Sequence, residues 1–91
     1  MRFALICRDK PGALQTRLEN RAAHLGYIEA TGVVEQAGPF LDEAGQMCGS
    51  LIILGVGSRA EAEAWAAGDP YAKAGLFSDV TLMEWKRVIG G

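Results

Sequence analysis

A two-layer α+β domain of βαββαβ order is what this sequence predicts, and three observations predict it. Four short apolar segments lie at Arg2 to Arg8, Val33 to Phe40, Cys48 to Val56 and Phe77 to Val88, each bounded by turn residues or charge. Two stretches of helical periodicity separate the first segment from the second and the third from the fourth. The chain has 91 residues, which makes one domain, 1–91, too short for an eight-stranded barrel or a six-stranded doubly wound sheet. Surface scaling gives roughly 5,100 Å² for the folded chain against roughly 14,000 Å² extended, enough burial for one modest core.

The first strand, Arg2 to Arg8, is a continuous apolar run and reads as buried on both faces, and Asp9-Lys10-Pro11-Gly12 ends it in a turn. From about Ala13 to Thr31, Leu14, Leu18, Ala22, Leu25 and Ile28 recur at spacings of three and four, which predicts an amphipathic helix with these residues inward and Gly32 at C′. Gly26 interrupts it, and close packing against a neighbouring backbone is the ordinary reason for such a glycine. Val33 to Phe40 is a poorer strand, joined through Asp42-Glu43-Ala44-Gly45-Gln46 to the strongest one, Cys48 to Val56. Ser58 with Glu61 is a capping box opening a second helix to Gly68, and Asp69-Pro70 is an N-cap and N1 pair for a short turn through Lys73. Phe77 to Val88 suits a final edge strand.

This order is that of the split βαβ, ferredoxin-like fold: an antiparallel sheet with both helices on one face and the first and third strands central. The other face is left bare. Because those central strands carry apolar residues throughout, a second copy of the chain is expected to cover it and to bury side chains among Phe3, Leu5, Ile6, Ile52, Ile53 and Leu54. Cys7 and Cys48 match no metal or redox spacing and read as small core residues. Taking the two central strands as parallel places these cysteines too far apart for a disulfide.

Nine basic against eleven acidic residues, with the basic ones scattered, argue against nucleic acid as a partner. No apolar run approaches membrane-spanning length and the start lacks a signal peptide's apolar region, so a cytoplasmic protein is expected. Gly55-Val56-Gly57-Ser58-Arg59-Ala60 fits a dinucleotide fingerprint, but it lies past the midpoint with one strand to follow, and the capping box already explains it. We find no element that would bind a cofactor or a metal. Trp65 and Trp85 read as core or interface anchors.

Arg17, Arg21 and His24 are spaced four and three, one ridge of the first helix. By spacing alone this is a solvated basic ridge with a half-buried histidine, although three such groups together call for anions, from the protein or from a ligand. Asp69 is explained equally well by capping.

Arg17-Leu18 with Arg21-Ala22-Ala23-His24-Leu25, Ala37-Gly38-Pro39, Gly49-Ser50, and Ala64-Trp65 leading to Asp69-Pro70-Tyr71 together resemble the YciI-like (YCII-related) proteins, in order and spacing along the whole chain. The resemblance implies a dimeric α+β barrel of ferredoxin-like subunits, related in architecture to muconolactone isomerases and small monooxygenases. It also implies a His/Asp active site, whose positions here are His24 and Asp69. The segment between Phe40 and Cys48 is shorter than the loops of many such relatives, which implies a more open pocket.

Residues and resemblance together predict a small cofactor-independent enzyme in which His24, oriented by Asp69, is general acid or base in an elimination, isomerisation or hydrolysis. Its substrate would be a small organic acid or cyclic carbonyl-type compound. Arg21 would hold an anionic group, and Ser50, Pro39 and Tyr71 would line the cavity. The alternative is a non-catalytic dimeric module using the same pocket to bind a ligand or to assist a partner enzyme.

Overall fold

The computed structural model describes residues 1–90, in the order β1 (Arg2–Asp9), α1 (Leu14–Thr31), β2 (Val34–Leu41), β3 (Met47–Gly55), α2 (Arg59–Gly68), α3 (Pro70–Lys73) and β4 (Phe77–Trp85). The strands form one sheet, β2-β3-β1-β4, in which every neighbouring pair is antiparallel. This is the expected βαββαβ fold. The turns follow the local chemistry. Gly32 adopts φ +65°, and its N–H closes α1 onto Ile28 O, a left-handed cap that disfavours a side chain. Ser58 accepts from Glu61 N, while the Glu61 carboxylate reaches back to Gly57 N at 2.8 Å. The helix thus fills its own N-terminus with a carboxylate, at the place where the dinucleotide fingerprint would hold phosphate. Asp69 caps α3, with Pro70 in its first turn.

The register decides which residues meet the helices. Phe3, Leu5 and Cys7 of β1 stand opposite Leu54, Ile52 and Ser50 of β3 and share one face, where all six are buried under α1, α2 and α3. Trp65 and Ala62 of α2 close this core. The opposite face carries Ala4, Ile6, Leu51, Ile53, Met83 and Trp85, so four of the six residues expected to form a subunit contact, Phe3, Leu5, Ile52 and Leu54, point instead into the protein's own interior. On the bare face Leu51, Met83 and Trp85 remain 36%, 56% and 38% exposed, as does Phe40 at 37%. Total accessible surface is 5,532 Å², above the roughly 5,100 Å² that a monomer of this size presents.

Four further expectations are corrected. First, β1 and β3 are antiparallel, not parallel, because β2 returns alongside β3 by a hairpin and α1 carries the chain across. Cys7 therefore faces Ser50, only two residues from Cys48. What separates the thiols is placement: Cys7 is buried on the helix side, whereas Cys48 sits in a bulge between the pairs Phe40–Gly49 and Leu41–Met47, exposed, with its thiol 3.6 Å from Phe40 O. Cys48 is thus no core residue. Second, β4 ends at Trp85, since its partner β1 begins at Arg2, opposite Trp85, and nothing remains to pair with Val88. Third, nothing lies within 4 Å of where a Gly26 Cβ would stand, so close packing does not explain that glycine. Gly49, by contrast, does need its lack of a side chain, because a Cβ there would strike the backbone oxygen of Cys7. Fourth, β1 is not equally buried on both faces, since Ile6 is only half-buried.

The two cysteines should react at different rates. A thiol reagent added to native protein at pH 8 should modify one group per chain within minutes, Cys48, and reach Cys7 only after denaturant is added. Two rapid thiols would show that Cys7 is not sealed beneath the helices.

Candidate functional site

Of the apolar stripe of helix α1, Ile28 packs on the core as expected and Leu14 is half-buried, but the middle of the stripe faces away from the sheet. Leu18 and Leu25 are 47% and 50% exposed and Ala22 is exposed, while the buried residues of the helix are Arg17 and His24, at 3% and 6%. The helix is turned this way because each buried polar group meets a carboxylate. Arg17 binds Asp9, the last residue of β1, through Nε to Oδ2 at 2.7 Å and Nη2 to Oδ1 at 2.8 Å, and Nη2 also donates to Ser50 Oγ at 2.9 Å. His24 Nδ1 lies 2.7 Å from Asp69 Oδ1. An ionised carboxylate only accepts, so Nδ1 carries the hydrogen, and in the neutral imidazole Nε2 is the free ring nitrogen.

Tyr71 lies between these two pairs. Its ring stacks on His24 with centroids 3.9 Å apart and planes 13° from parallel, and the Arg17 guanidinium carbon lies 4.7 Å from its centroid. Asp69 has a double task. Oδ1 also accepts from Tyr71 N at 3.0 Å, so the carboxylate that holds the histidine also starts α3 and fixes the tyrosine. Its Oδ2 is buried with no hydrogen-bond partner among the described residues.

These side chains form one wall of a cavity of about 190 Å³ between α1 and the β2–β3 hairpin. Arg17, Arg21, His24, Pro39, Ser50 and Tyr71 all line it, and Leu25, Ile28, Ala37, Met47 and Ile52 supply apolar surface. Asp69 does not reach the cavity; fully buried, it backs His24 from within. A void of about 150 Å³ takes a benzene ring, so this one has room for a single substituted ring. Of the three basic groups on the ridge, Arg17 and His24 have protein carboxylates, and Arg21 has none among the described residues. Arg21, His24, Pro39, Ser50 and Tyr71 were expected at the site from the sequence, whereas the burial of Arg17 and the part played by Asp9 were not. Nothing local marks Asp9, whose partner lies one turn into the helix that follows.

Burial pushes the Cys7 thiol up to about 12, helped by the charge of Asp69 and opposed by Arg17. The Tyr71 hydroxyl is raised by burial, against the charge of Arg17, and so stays a neutral donor at ordinary pH. Tyr27, whose hydroxyl bonds Trp65 O, is also raised, by burial and then by Asp69. Arg17 loses by burial but gains more from its hydrogen bonds and charge pairing with Asp9, so its pKa is raised and it stays charged.

A four-stranded α+β sandwich with a ring-sized cleft, walled by a histidine backed by a buried carboxylate, defines a ferredoxin-like domain with a cavity of small-molecule size. The chain belongs to the YCII-related domain family, which matches residues 1–86. It is 33% identical to the protein YciI of Escherichia coli O6:H1 over 97% of this chain and 99% of that one, and 34% identical, at the same coverage, to a Haemophilus influenzae protein. Among solved structures it resembles the 5-chloro-2-hydroxyhydroquinone dehydrochlorinase of Burkholderia phenoliruptrix in complex with 2,5-dihydroxybenzoquinone, with 36% identity, TM-score 0.86 and 94% of both chains covered. An antibiotic biosynthesis monooxygenase shares the fold at 14% identity and TM-score 0.56.

Two measurements check this description. Asp9→Ala leaves a guanidinium buried without its partner and should cost about 3–5 kcal/mol in urea unfolding, whereas Glu35→Ala, which frees the more exposed Arg2, should cost far less. Cys7, Tyr27 and Tyr71 all have folded-state pKa values above their ordinary ones, so their contribution is fully present below about pH 9 and is lost as pH rises toward about 12. Unfolding free energy should therefore fall across that window, and less steeply in Cys7→Ala.

Proposed function

We propose that this chain is a small cofactor-independent enzyme in which His24 is the general base and Asp69 orients it, acting on a monoanionic ring compound or a small organic acid with an acidic carbon next to a carbonyl. The observation that carries this reading is the 2.7 Å His24–Asp69 pair at the wall of a ring-sized cavity. The carboxylate holds the imidazole in the tautomer that frees Nε2 and supplies the counter-charge to the imidazolium formed when a proton is taken up. Arg21, without a carboxylate partner among the described residues, holds the substrate's anionic group, while Pro39, Ile28 and Ile52 pack against the ring. Elimination is the favoured reaction, because once a carbanion forms beside a carbonyl, a leaving group on the neighbouring carbon departs with no further catalyst. The similar dehydrochlorinase, whose structure holds a dihydroxybenzoquinone, supports both the ring and the elimination.

We also propose that the working form is a homodimer joined through the bare sheet face. Phe40, Leu51, Met83 and Trp85 stand exposed there around buried Ala4 and Ile53, and a second copy would remove this patch from water.

His24→Asn should fold with a melting temperature within a few degrees of the parent, yet bind 2,5-dihydroxybenzoquinone at least tenfold more weakly in calorimetry. Unchanged affinity in a folded variant would show that the pair serves only to join α1 to α3. In sedimentation velocity at micromolar concentration the parent should run as a dimer and Leu51→Glu as a monomer; a monomeric parent would remove the case for the sheet-face contact.

A further inference from the structure

Ser50 stands on β3 opposite Cys7 of β1 and Pro39 of β2, on the helix side of the sheet, 3% exposed and lining the cavity. A serine hydroxyl has one proton to donate and two lone pairs to accept with. Arg17 Nη2 uses the accepting side, at 2.9 Å, and that is the one hydrogen bond the hydroxyl makes among the described residues. The proton has no acceptor among the described residues, though Ser50 is almost entirely removed from bulk water. A buried donor without an acceptor is unfavourable, and the open space beside it is the cavity. The group behind it is charged, because Arg17 remains a guanidinium, and a hydroxyl that accepts from a cation becomes a better donor through its own hydrogen. Asp9 holds that guanidinium by two hydrogen bonds and offsets its charge. A ligand therefore meets a polarised donor and not a second free cation beside Arg21.

We propose that Ser50 donates the hydrogen bond to the substrate oxygen on which negative charge develops, and that Arg17, held by Asp9, is a positioning residue that polarises it. This rests on the role of His24 proposed above and adds the electrophilic half of the site. When His24 Nε2 takes the proton from the carbon beside the carbonyl, the C–H pair forms the new carbon–carbon double bond and the carbonyl π pair moves onto oxygen. The Ser50 O–H then shortens its hydrogen bond to that oxygen, keeping its own proton. In an elimination the pair flows back and expels the leaving group as an anion. Donors fixed before reaction at the place where charge appears account for large shares of such catalysis, and loss of one costs on the order of 10²–10³ in rate.

The test uses the full chain and 2,5-dihydroxybenzoquinone, a planar hydroxyquinone whose visible band reports its ionisation and the hydrogen bonds to its oxygens. The parent should shift that band on binding. Ser50→Ala should bind about tenfold more weakly and lose much of the shift, Ser50→Thr should restore both, and Arg17→Lys, which keeps charge but not the forked geometry, should bind with a smaller shift. Tyr71→Phe is the competing variant, because Tyr71 also lines the cavity. Should Ser50→Ala fail to fold, Ser50→Cys against Ser50→Thr makes the same comparison, since a thiol is a poor donor. If His24→Asn weakens binding while the Ser50 variants keep parental affinity and band, or if Tyr71→Phe alone abolishes the shift, the assignment of Ser50 is wrong and that of His24 stands. A parent that does not bind the probe overturns both.

Discussion

Helix α1 reaches the sheet through two side chains that would ordinarily stay in water, Arg17 and His24, and the rest of the site depends on how their polarity is compensated. Taking a charged or strongly polar group out of solvent costs several kcal/mol unless a partner meets it, so the helix can dock in this rotation only because Asp9 and Asp69 wait at the right places. Both carboxylates sit where elements end: Asp9 closes β1 and Asp69 lies at the junction of α2 and α3. The cavity is a consequence. With long polar side chains spanning the gap, the layers do not close on one another as they do at the other end, where Tyr27 and Trp65 pack on the core.

Asp69 shows why this arrangement is hard to separate into structure and chemistry. One oxygen joins α1 to α3 and holds both the histidine and the tyrosine that stacks on it. A site assembled from the terminus of a strand, two turns of a helix and a helix cap inherits its rigidity from the fold and needs few residues devoted to the ligand. The rotation of α1 has a second effect: Leu18 and Leu25, which cannot face inward once Arg17 and His24 do, stand at the surface, and Leu25 becomes part of the cavity rim.

Much of the secondary structure was legible because it is set by local chemistry. Apolar runs between turn residues marked all four strands, Gly32 ended α1 where a left-handed residue is needed, and Ser58 and Asp69 capped the helices they were expected to cap. The βαββαβ order then left few topologies open, and the fold followed. The residues of the cavity wall were legible in the main through the family pattern they share, since the spacing of Arg17, Arg21 and His24 says that they project together but not whether they face water.

What only the tertiary structure decided is the direction of each face. Periodicity puts Leu18, Ala22 and Leu25 on one stripe of α1, and hydrophobicity alone turns that stripe inward; an ion pair and a histidine–carboxylate hydrogen bond, formed with residues 8 and 45 positions away, turned it outward instead. The same holds for β1 and β3, whose apolar runs do not reveal which alternate residues meet helices and which stay bare until the antiparallel register pairs Leu5 with Ile52 and Ala4 with Ile53. Sequence determines how a segment folds because that depends on neighbours three or four residues away. Which side faces in depends on partners the chain brings together only by folding, and in this protein those partners are charges.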